Sequence, residues 1–279
     1  MTPFPDPGIA AGLGRLTVAR VDGASAAVLA GAGNPLKLLV SQPRGPAVWA
    51  FATTFGGGLL AGDRITLDVT VDPGASLFLG TQASTKIYRS DDGRESTQTT
   101  RARIADGGLL VWLPDPVTPF AGSRLRQALS VTLGAGAGLV ALDAVTAGRM
   151  ARDEHWAATA IRSRIALDDD RGAPLLRDAM ELIGNDLPRR LSGVGCLATL
   201  VIAGAPVAEL ASRILADVSA AGAGTWPGGI LAAASPLTRG TGTILRLAAP
   251  EWPTAEAWLR TRFGSLAGHL GGEPWLRRP

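Results

Sequence analysis

Residues 65–80, ITLDVTVDPGASLFLG, contain the pattern that decides the fold. Apolar and polar side chains alternate over residues 65–71, which predicts a strand with one face in a core and the other in water. Asp72-Pro73-Gly74 ends this strand, because proline presets φ for a turn and glycine accepts the left-handed conformation. Residues 75–80 then return as a second strand, so the stretch predicts two strands joined by a tight turn.

The same pattern recurs further along the chain. Residues 105–108, ADGG, precede the apolar run 109–113, and residues 134–136, GAG, separate the predicted strands 125–133 and 139–145. Turn signals spaced about every 10 to 12 residues are typical of an antiparallel β architecture and not of βαβ units.

Two segments follow the helical period instead. In residues 206–221 the apolar side chains recur at i, i+3, i+4 and i+7, Pro206 suits the first turn, and Gly222 can end the helix. Residues 254–270 show a second apolar stripe with Thr254 as the predicted N-cap. Both segments lie near the C-terminus.

The chain shows no linker, no low-complexity block and no repeat with a fixed sequence motif. We therefore expect residues 1–279 to form one domain that is strand-rich over residues 14–205. The predicted fold is mainly β, a many-stranded antiparallel or helix-like scaffold with two α-helices. Its 46% hydrophobic residues are enough for a full core, and its 36 glycines suit many turns.

Charge and cysteine usage exclude several classes of protein. The net charge is +3, but the basic residues are scattered and no run of five like charges occurs, so we expect no nucleic-acid partner. Cys196 is the single cysteine, which excludes an intrachain disulfide and fits a reducing compartment.

Neither secretion nor membrane insertion is expected. Residues 1–7, MTPFPDP, have no basic and no apolar segment of a signal peptide. The longest apolar stretch, residues 196–208, contains Pro206 and is shorter than the roughly 20 residues of a membrane helix. We expect a soluble, cytoplasmic protein.

The glycine-rich segment 55–63, FGGGLLAGD, has the spacing of a phosphate loop from Gly57 to Gly62. Asp63 stands where such a loop needs lysine, and the following residues predict a strand, so no helix N-terminus is available for an anion. A glycine-rich hairpin or bulge is the better interpretation.

Catalytic and metal-ligating side chains are scarce. The histidines are His155 and His269, no serine lies in a nucleophile elbow, and Cys196 lies in an apolar strand where a thiol is inert. A closed nickel or zinc site needs several such ligands, so we expect no catalytic residues and no permanently bound metal or cofactor. Residues 168–170, three aspartates followed by Arg171-Gly172, predict a solvated hairpin turn.

Two segments concentrate unusual residues. Residues 81–90, TQASTKIYRS, form a predicted polar strand that holds the single tyrosine, and they suit either an exposed face or a functional surface. Residues 112–116, WLPDP, place two prolines just after a strand, as an edge terminator or a rigid surface for a partner.

Taken together and in order, these segments resemble the UreD (also called UreH) family of urease accessory proteins. The resemblance covers residues 14–205 and is carried by four motifs at compatible spacing: residues 55–63, residues 81–89, residues 110–116 (LVWLPDP), and Gly148-Arg149 with Glu154 and Trp156. The sequence departs from the family at Asp153, where glycine is usual, and in the tail 274–279.

The resemblance implies a largely β fold with two helices and a function without catalysis. Proteins of this family bind apo-urease and the accessory protein UreF, which recruits the GTPase UreG. The assembly supports nickel insertion and carbamylation of the urease active-site lysine, and it leaves room for a dimer. Nickel is expected to pass transiently through an internal channel, because oxygen ligands hold a cation loosely enough to release it.

Candidate site residues follow from the resemblance. We expect carboxylates of the channel or its mouth at Asp63, Asp143 and Glu154. The positions expected to contact a partner or to maintain the motifs are Gly57, Gly62, Thr81, Gln82, Lys86, Tyr88, Arg89 and Arg149.

The alternative is a β-solenoid or sandwich enzyme acting on a polysaccharide. Such an enzyme needs paired carboxylates beside stacking aromatic rings, and this chain has 5% aromatic residues and one tyrosine.

For the scaffold we expect exposed apolar area and poor solubility of the isolated subunit.

Overall fold

The computed structural model describes residues 9–42, 45–222 and 225–275, together with the backbone of residues 2–3. The predictions about residues 1–7 and about the tail 274–279 therefore lie partly outside the described residues.

Strands dominate the described chain, which confirms the mainly β class. The strands are β1 (Thr2–Pro3), β2 (Leu13–Val21), β3 (Ala24–Ala32), β4 (Leu36–Val40), β5 (Val48–Thr54), β6 (Gly58–Leu59), β7 (Arg64–Val71), β8 (Ser76–Thr81), β9 (Lys86–Ile87), β10 (Ser96–Ile104), β11 (Leu109–Leu113), β12 (Thr118–Pro119), β13 (Arg124–Leu133), β14 (Gly138–Thr146), β15 (Ala160–Asp169), β16 (Pro174–Ile183), β17 (Cys196–Gly204), β18 (Thr225–Trp226), β19 (Ile230–Pro236) and β20 (Gly242–Ala249). The helices are α1 (Leu187–Arg190), α2 (Ala208–Ala221), α3 (Trp252–Phe263) and α4 (Leu266–Leu270).

These strands form two large sheets and one small sheet. The ten-stranded sheet has the order β1-β4-β5-β8-β11-β14-β17-β20-β19-β18, and the seven-stranded sheet has the order β16-β15-β13-β10-β7-β2-β3. The small sheet is β12-β9-β6. Successive strands contribute to different sheets, so the chain runs through β6-β7-β8, then β9-β10-β11, then β12-β13-β14 as three stacked coils.

Strand pairing at the centre differs from the antiparallel prediction. β7, β10, β13 and β15 pair in parallel, as do β5, β8, β11 and β14, whereas the pairs at the sheet margins, such as β15–β16 and β17–β20, are antiparallel. Thus β7 and β8 are not a hairpin, since the turn between them leads into the opposite sheet. The helix-like part of the prediction is confirmed.

The predicted turns are the corners of this coil. The turns near Gly74, Gly107 and Gly136 have φ values of 66°, 66° and 64°, which favour glycine. They also stack on each other, because Gly74 N donates to Asp106 O at 3.0 Å and Gly107 N donates to Ala135 O at 2.9 Å. A similar local sequence therefore occurs at the same corner of each coil.

The ten-stranded sheet carries a core on each of its faces. One core lies between the two large sheets, and the other lies between the ten-stranded sheet and the helices α2, α3 and α4. The helical faces predicted from the sequence are the buried ones, for example at Ile214 and Leu259.

No described helix combines the length and the apolar character that a membrane span requires.

Helix bounds differ in detail from the prediction. Residues 205–207 form a 3-10 turn before α2. The second predicted helix begins at Trp252, with Glu251 and not Thr254 as the N-cap, and it is divided into α3 and α4. Pro253 accounts for the earlier start, because its fixed φ suits the first turn of a helix.

The structure corrects two local predictions and confirms a third. The glycine-rich segment is neither a hairpin nor a bulge but a connection through β6 to the strand β7, and no helix follows it. Residues 82–85 lie between β8 and β9 and are not part of a continuous polar strand. The aspartate cluster is a hairpin turn, in which Asp169 Oδ1 accepts hydrogen bonds from the N–H groups of Arg171 and Ala173.

Candidate internal cavity and motif cluster

A cavity of about 50 Å³ lies between the two large sheets. This volume is enough for a few water molecules. Both sheets line it, with the following residues: Thr81, Thr85, Gln98, Thr100, Trp112, Pro114, Asp115, Val117, Gln127, Ala128, Leu129, Leu142, Asp143, Ala144 and Ser163.

Polar residues at inward-facing positions create this cavity. Gln98 on β10 is the register neighbour of Gln127 on β13, which is the neighbour of Ser163 on β15. In the neighbouring strand β7 the equivalent position is Ile65, which is apolar and buried. The polar side chains thus interrupt a mainly apolar face of the seven-stranded sheet.

Asp143 projects from β14 toward this polar row. Its carboxylate accepts hydrogen bonds from Gln127 Nε2 and from Ser163 Oγ. The pKa of Asp143 is raised to about 6. Burial is the largest cause and the charge of Asp178 acts in the same direction, whereas the hydrogen bonds from Ser163 and Gln127 oppose the shift. At pH 7 the cavity therefore contains a mainly ionised carboxylate that a cation would stabilise.

Thr81 and Asp115 form a second polar contact in the cavity wall. Thr81 Oγ1 donates to Asp115 Oδ2 at 2.8 Å and accepts from Asp115 N at 2.7 Å. Pro114 and Asp115 are half-buried, and the adjacent Gln82 is exposed. The Thr81–Asp115 contact joins the polar segment 81–90 to the proline-rich segment 112–116.

The structure places Asp63 outside the cavity lining. Its Oδ2 accepts a hydrogen bond from Leu60 N at 2.8 Å, and its backbone N–H donates to Leu60 O at 3.0 Å. Asp63 therefore closes the turn that follows the glycine-rich segment. Gly62 in that turn has a φ of 85°.

Glu154 is also outside the lining, in an ion pair with Arg149. Arg149 Nε donates to Glu154 Oε2 at 2.9 Å, Arg149 Nη2 donates to Oε1, and Ala121 N donates to Oε2 at 3.1 Å. The hydrogen bond from Arg149 holds the pKa of the Glu154 carboxyl below its usual value, and the one from Ala121 lowers it further.

Aromatic contacts connect this ion pair to the glycine-rich segment. The Arg149 guanidinium lies 4.0 Å from the centre of the Phe120 ring, and Tyr88 meets the same ring edge-on at 5.2 Å. Tyr88 Oη donates to Gly56 O at 3.1 Å. We call Gly56, Tyr88, Phe120, Arg149 and Glu154 the motif cluster, because it joins three sequence motifs that are distant in the chain.

The remaining predicted positions lie on the surface around this cluster. Gly57, Gln82 and Lys86 are exposed, and Arg89 forms an exposed ion pair with Asp91 at 2.6 Å. The structure thus brings Tyr88, Arg149 and Glu154 together and places Asp143 in the cavity. Sequence analysis missed Phe120, Gln127 and Ser163. A polar residue at an inward-facing strand position was the signal for the last two.

We expect Glu154→Gln to reduce the free energy of unfolding by about 1–2 kcal/mol at pH 7, because an amide cannot accept all three hydrogen bonds. The pKa of Glu154 is lowered from 4.5 in the folded protein, so this contribution is present above pH 4.5 and is lost as the pH falls through the folded value. Urea unfolding at pH 7 and pH 4 measures it. Glu209→Gln, at an exposed position in α2, is the control, and an equal loss in both variants would contradict the prediction.

Side chains for nucleophilic or metal chemistry are not assembled among the residues that the structure describes. His155 and His269 are exposed, and burial raises the pKa of the Cys196 thiol to about 11. No group of three or more His, Cys, Asp or Glu side chains in the described ranges could hold a metal ion.

Comparison with known proteins supplies the family. Residues 10–278 match the family model described as UreD urease accessory protein. The chain is 45% identical to a urease accessory protein UreD of Anaeromyxobacter sp. (strain Fw109-5), with 99% of this chain and 93% of the relative covered. It is 41% identical to a protein of that name from Sorangium cellulosum (strain So ce56), over 96% and 84% of the two chains. An Arabidopsis thaliana protein, urease accessory protein D, is 32% identical over 74% and 72%.

Proposed function

This chain belongs to the UreD family of urease accessory proteins, and we propose that it acts in urease maturation as a non-catalytic scaffold through which nickel passes. The observation that supports this role best is the polar cavity between the two sheets. A carboxylate is costly between two packed sheets, and Asp143 is half-buried there with Gln127 and Ser163, and no basic side chain, as its described hydrogen-bond partners.

The oxygen atoms that line the cavity suit the transient binding of a cation. Hydroxyl, amide and carboxylate oxygens come from Thr81, Gln98, Gln127, Asp143 and Ser163. Oxygen ligands bind Ni²⁺ less tightly than imidazole or thiolate ligands do. Nickel is the cargo in this proposal, and the cavity would release it because no closed ligand set surrounds it.

We further propose that the protein binds apo-urease and UreF, with UreG joining through UreF. Large apolar side chains within the glycine-rich segment 55–63 support a partner surface, since Phe55 is 52% and Leu60 is 60% exposed. The single, buried cysteine fits the reducing cytoplasm in which we propose that this assembly forms.

Removing the gene from a urease-producing strain tests the proposed function. We expect normal amounts of urease subunits that contain little nickel, and restoration by the wild-type gene. Metal analysis of purified urease measures the nickel, and a pull-down with apo-urease and UreF measures the complex. Full urease activity without the gene, or no binding to either partner, would overturn the proposal.

A further inference from the structure

Asp143 also begins a second polar row, which runs along the ten-stranded sheet from the cavity toward the margin of that sheet. Asp143 on β14 is the register partner of Thr199 on β17, and Thr199 is the partner of Arg246 on β20. These three residues share the inward face, because register partners project to the same side of a sheet. Two strand spacings, about 10 Å, separate Asp143 from Arg246.

At Arg246 this second polar row reaches the surface. The Arg246 side chain is 57% exposed and lines an open groove with Leu197, Leu231 and Ala248. This groove exists because the ten-stranded sheet continues through β20, β19 and β18, whereas the seven-stranded sheet ends at β16. The inner face of the larger sheet is therefore uncovered at this edge.

An ion pair joins the two sheets at this edge. Arg246 Nη2 donates to Asp178 Oδ1, and Asp178 projects from the margin strand β16 with its side chain 8% exposed. Asp178 is close enough to Asp143 to raise the pKa of that carboxyl. The Arg246–Asp178 pair thus lies between the open groove on one side and the half-buried carboxylate of Asp143 on the other.

We propose that the Arg246–Asp178 ion pair is an electrostatic seal that prevents cations from entering or leaving the cavity sideways between β16 and β20. This inference rests on the proposed function of the cavity as a cation path. The guanidinium repels a cation that approaches from the groove, and Asp178 holds the guanidinium across the gap. A cation is then confined to the route past Thr81 and Asp115, and Arg246 determines that choice of route by closing the path between β16 and β20.

A thiol placed in the cavity reports on access from outside. Ser163→Cys puts a small reactive group beside Asp143, and the native Cys196 adds little background because it is buried and its pKa is about 11. The modification rates are measured with methyl methanethiosulfonate, which is neutral, and with its aminoethyl analogue, which is a cation. Mass spectrometry of the full chain gives both rates.

Adding Arg246→Gln is expected to raise the rate of the cationic reagent about tenfold, the effect of one charge about 10 Å away at an effective dielectric constant of about 20. The neutral reagent should react at an unchanged rate. Arg101→Gln is the matched control, since Arg101 forms an exposed ion pair with Asp68 on the outer face of the seven-stranded sheet, and it should change neither rate.

Two results would overturn the proposed seal. If Arg246→Gln accelerates both reagents equally, the substitution merely loosens the sheet edge. If it changes neither rate, Arg246 does not control access. The Asp178→Asn variant provides a second test, because it frees the guanidinium while leaving its charge in place. We expect both reagents to react faster in that variant, with the neutral one favoured. Nickel content of urease matured with the same variants reports separately on the proposed function.

Discussion

Urease that is matured with the Asp143→Asn variant should contain at least about tenfold less nickel than urease matured with the wild type. A cation about 4 Å from a carboxylate gains about 4 kcal/mol at an effective dielectric constant of about 20, and asparagine removes this attraction. Asparagine can still accept from Gln127 Nε2 and can donate to Ser163 Oγ, so the cavity wall keeps its hydrogen bonds. Metal analysis of purified urease measures the loss.

The same variant should be more stable than the wild type at pH 7. Burial raises the pKa of Asp143 from 3.8 to about 6, so ionisation costs the folded state up to about 3 kcal/mol above pH 6. Since the folded pKa is raised, this cost decreases as the pH falls from 6 and is absent below 3.8. Urea unfolding should therefore show a gain at pH 7 that disappears at pH 4.

A loss of nickel together with a gain of stability separates the role of the carboxylate from misfolding. Asp106→Asn is the matched control, because Asp106 lies in an exposed turn where its Oδ1 accepts from Ala135 N at 3.1 Å. That variant should change neither quantity. Normal nickel content with Asp143→Asn would remove Asp143 from the proposed nickel path.

The largest loss of stability is expected from Trp156→Ala. Trp156 is 2% exposed in the core between the sheets, and its Nε1 donates to Val194 O at 2.7 Å. Removing a buried indole leaves a cavity, and we expect a loss of about 3–5 kcal/mol in the free energy of unfolding. Measured by urea unfolding, this loss is a large part of the 5–15 kcal/mol typical of a protein.

Two other variants are compared with Trp156→Ala by the same measurement. Trp156→Phe keeps most of the apolar contact and loses the hydrogen bond to Val194, so its expected loss is about 1–2 kcal/mol. Trp252→Ala removes a half-buried indole at the start of α3 and should cost less than Trp156→Ala. Similar losses of stability at positions 156 and 252 would contradict the prediction that the buried indole of Trp156 contributes more to stability than the half-buried one of Trp252.

Motifs read along the chain identify the UreD family, but they do not give the roles of its carboxylates. The sequence alone does not distinguish the roles of Asp63, Asp143 and Glu154. In the structure Asp63 closes a turn, Glu154 pairs with Arg149, and Asp143 lines the cavity. The difference arises because the environment of a carboxylate depends on distant segments: Gln127, Ser163 and Asp178 for Asp143.

The sequence by itself determined the strand-rich class, the buried faces of the C-terminal helices and the scarcity of histidine and cysteine. These properties depend on local periodicity and on composition. Only the tertiary structure decided that β7 and β8 belong to opposite sheets, that β7 and β10 pair in parallel, and that Arg246 meets Asp178. A period of two specifies which face of a strand is buried, whereas the partner strand is selected by contacts between residues far apart in the chain.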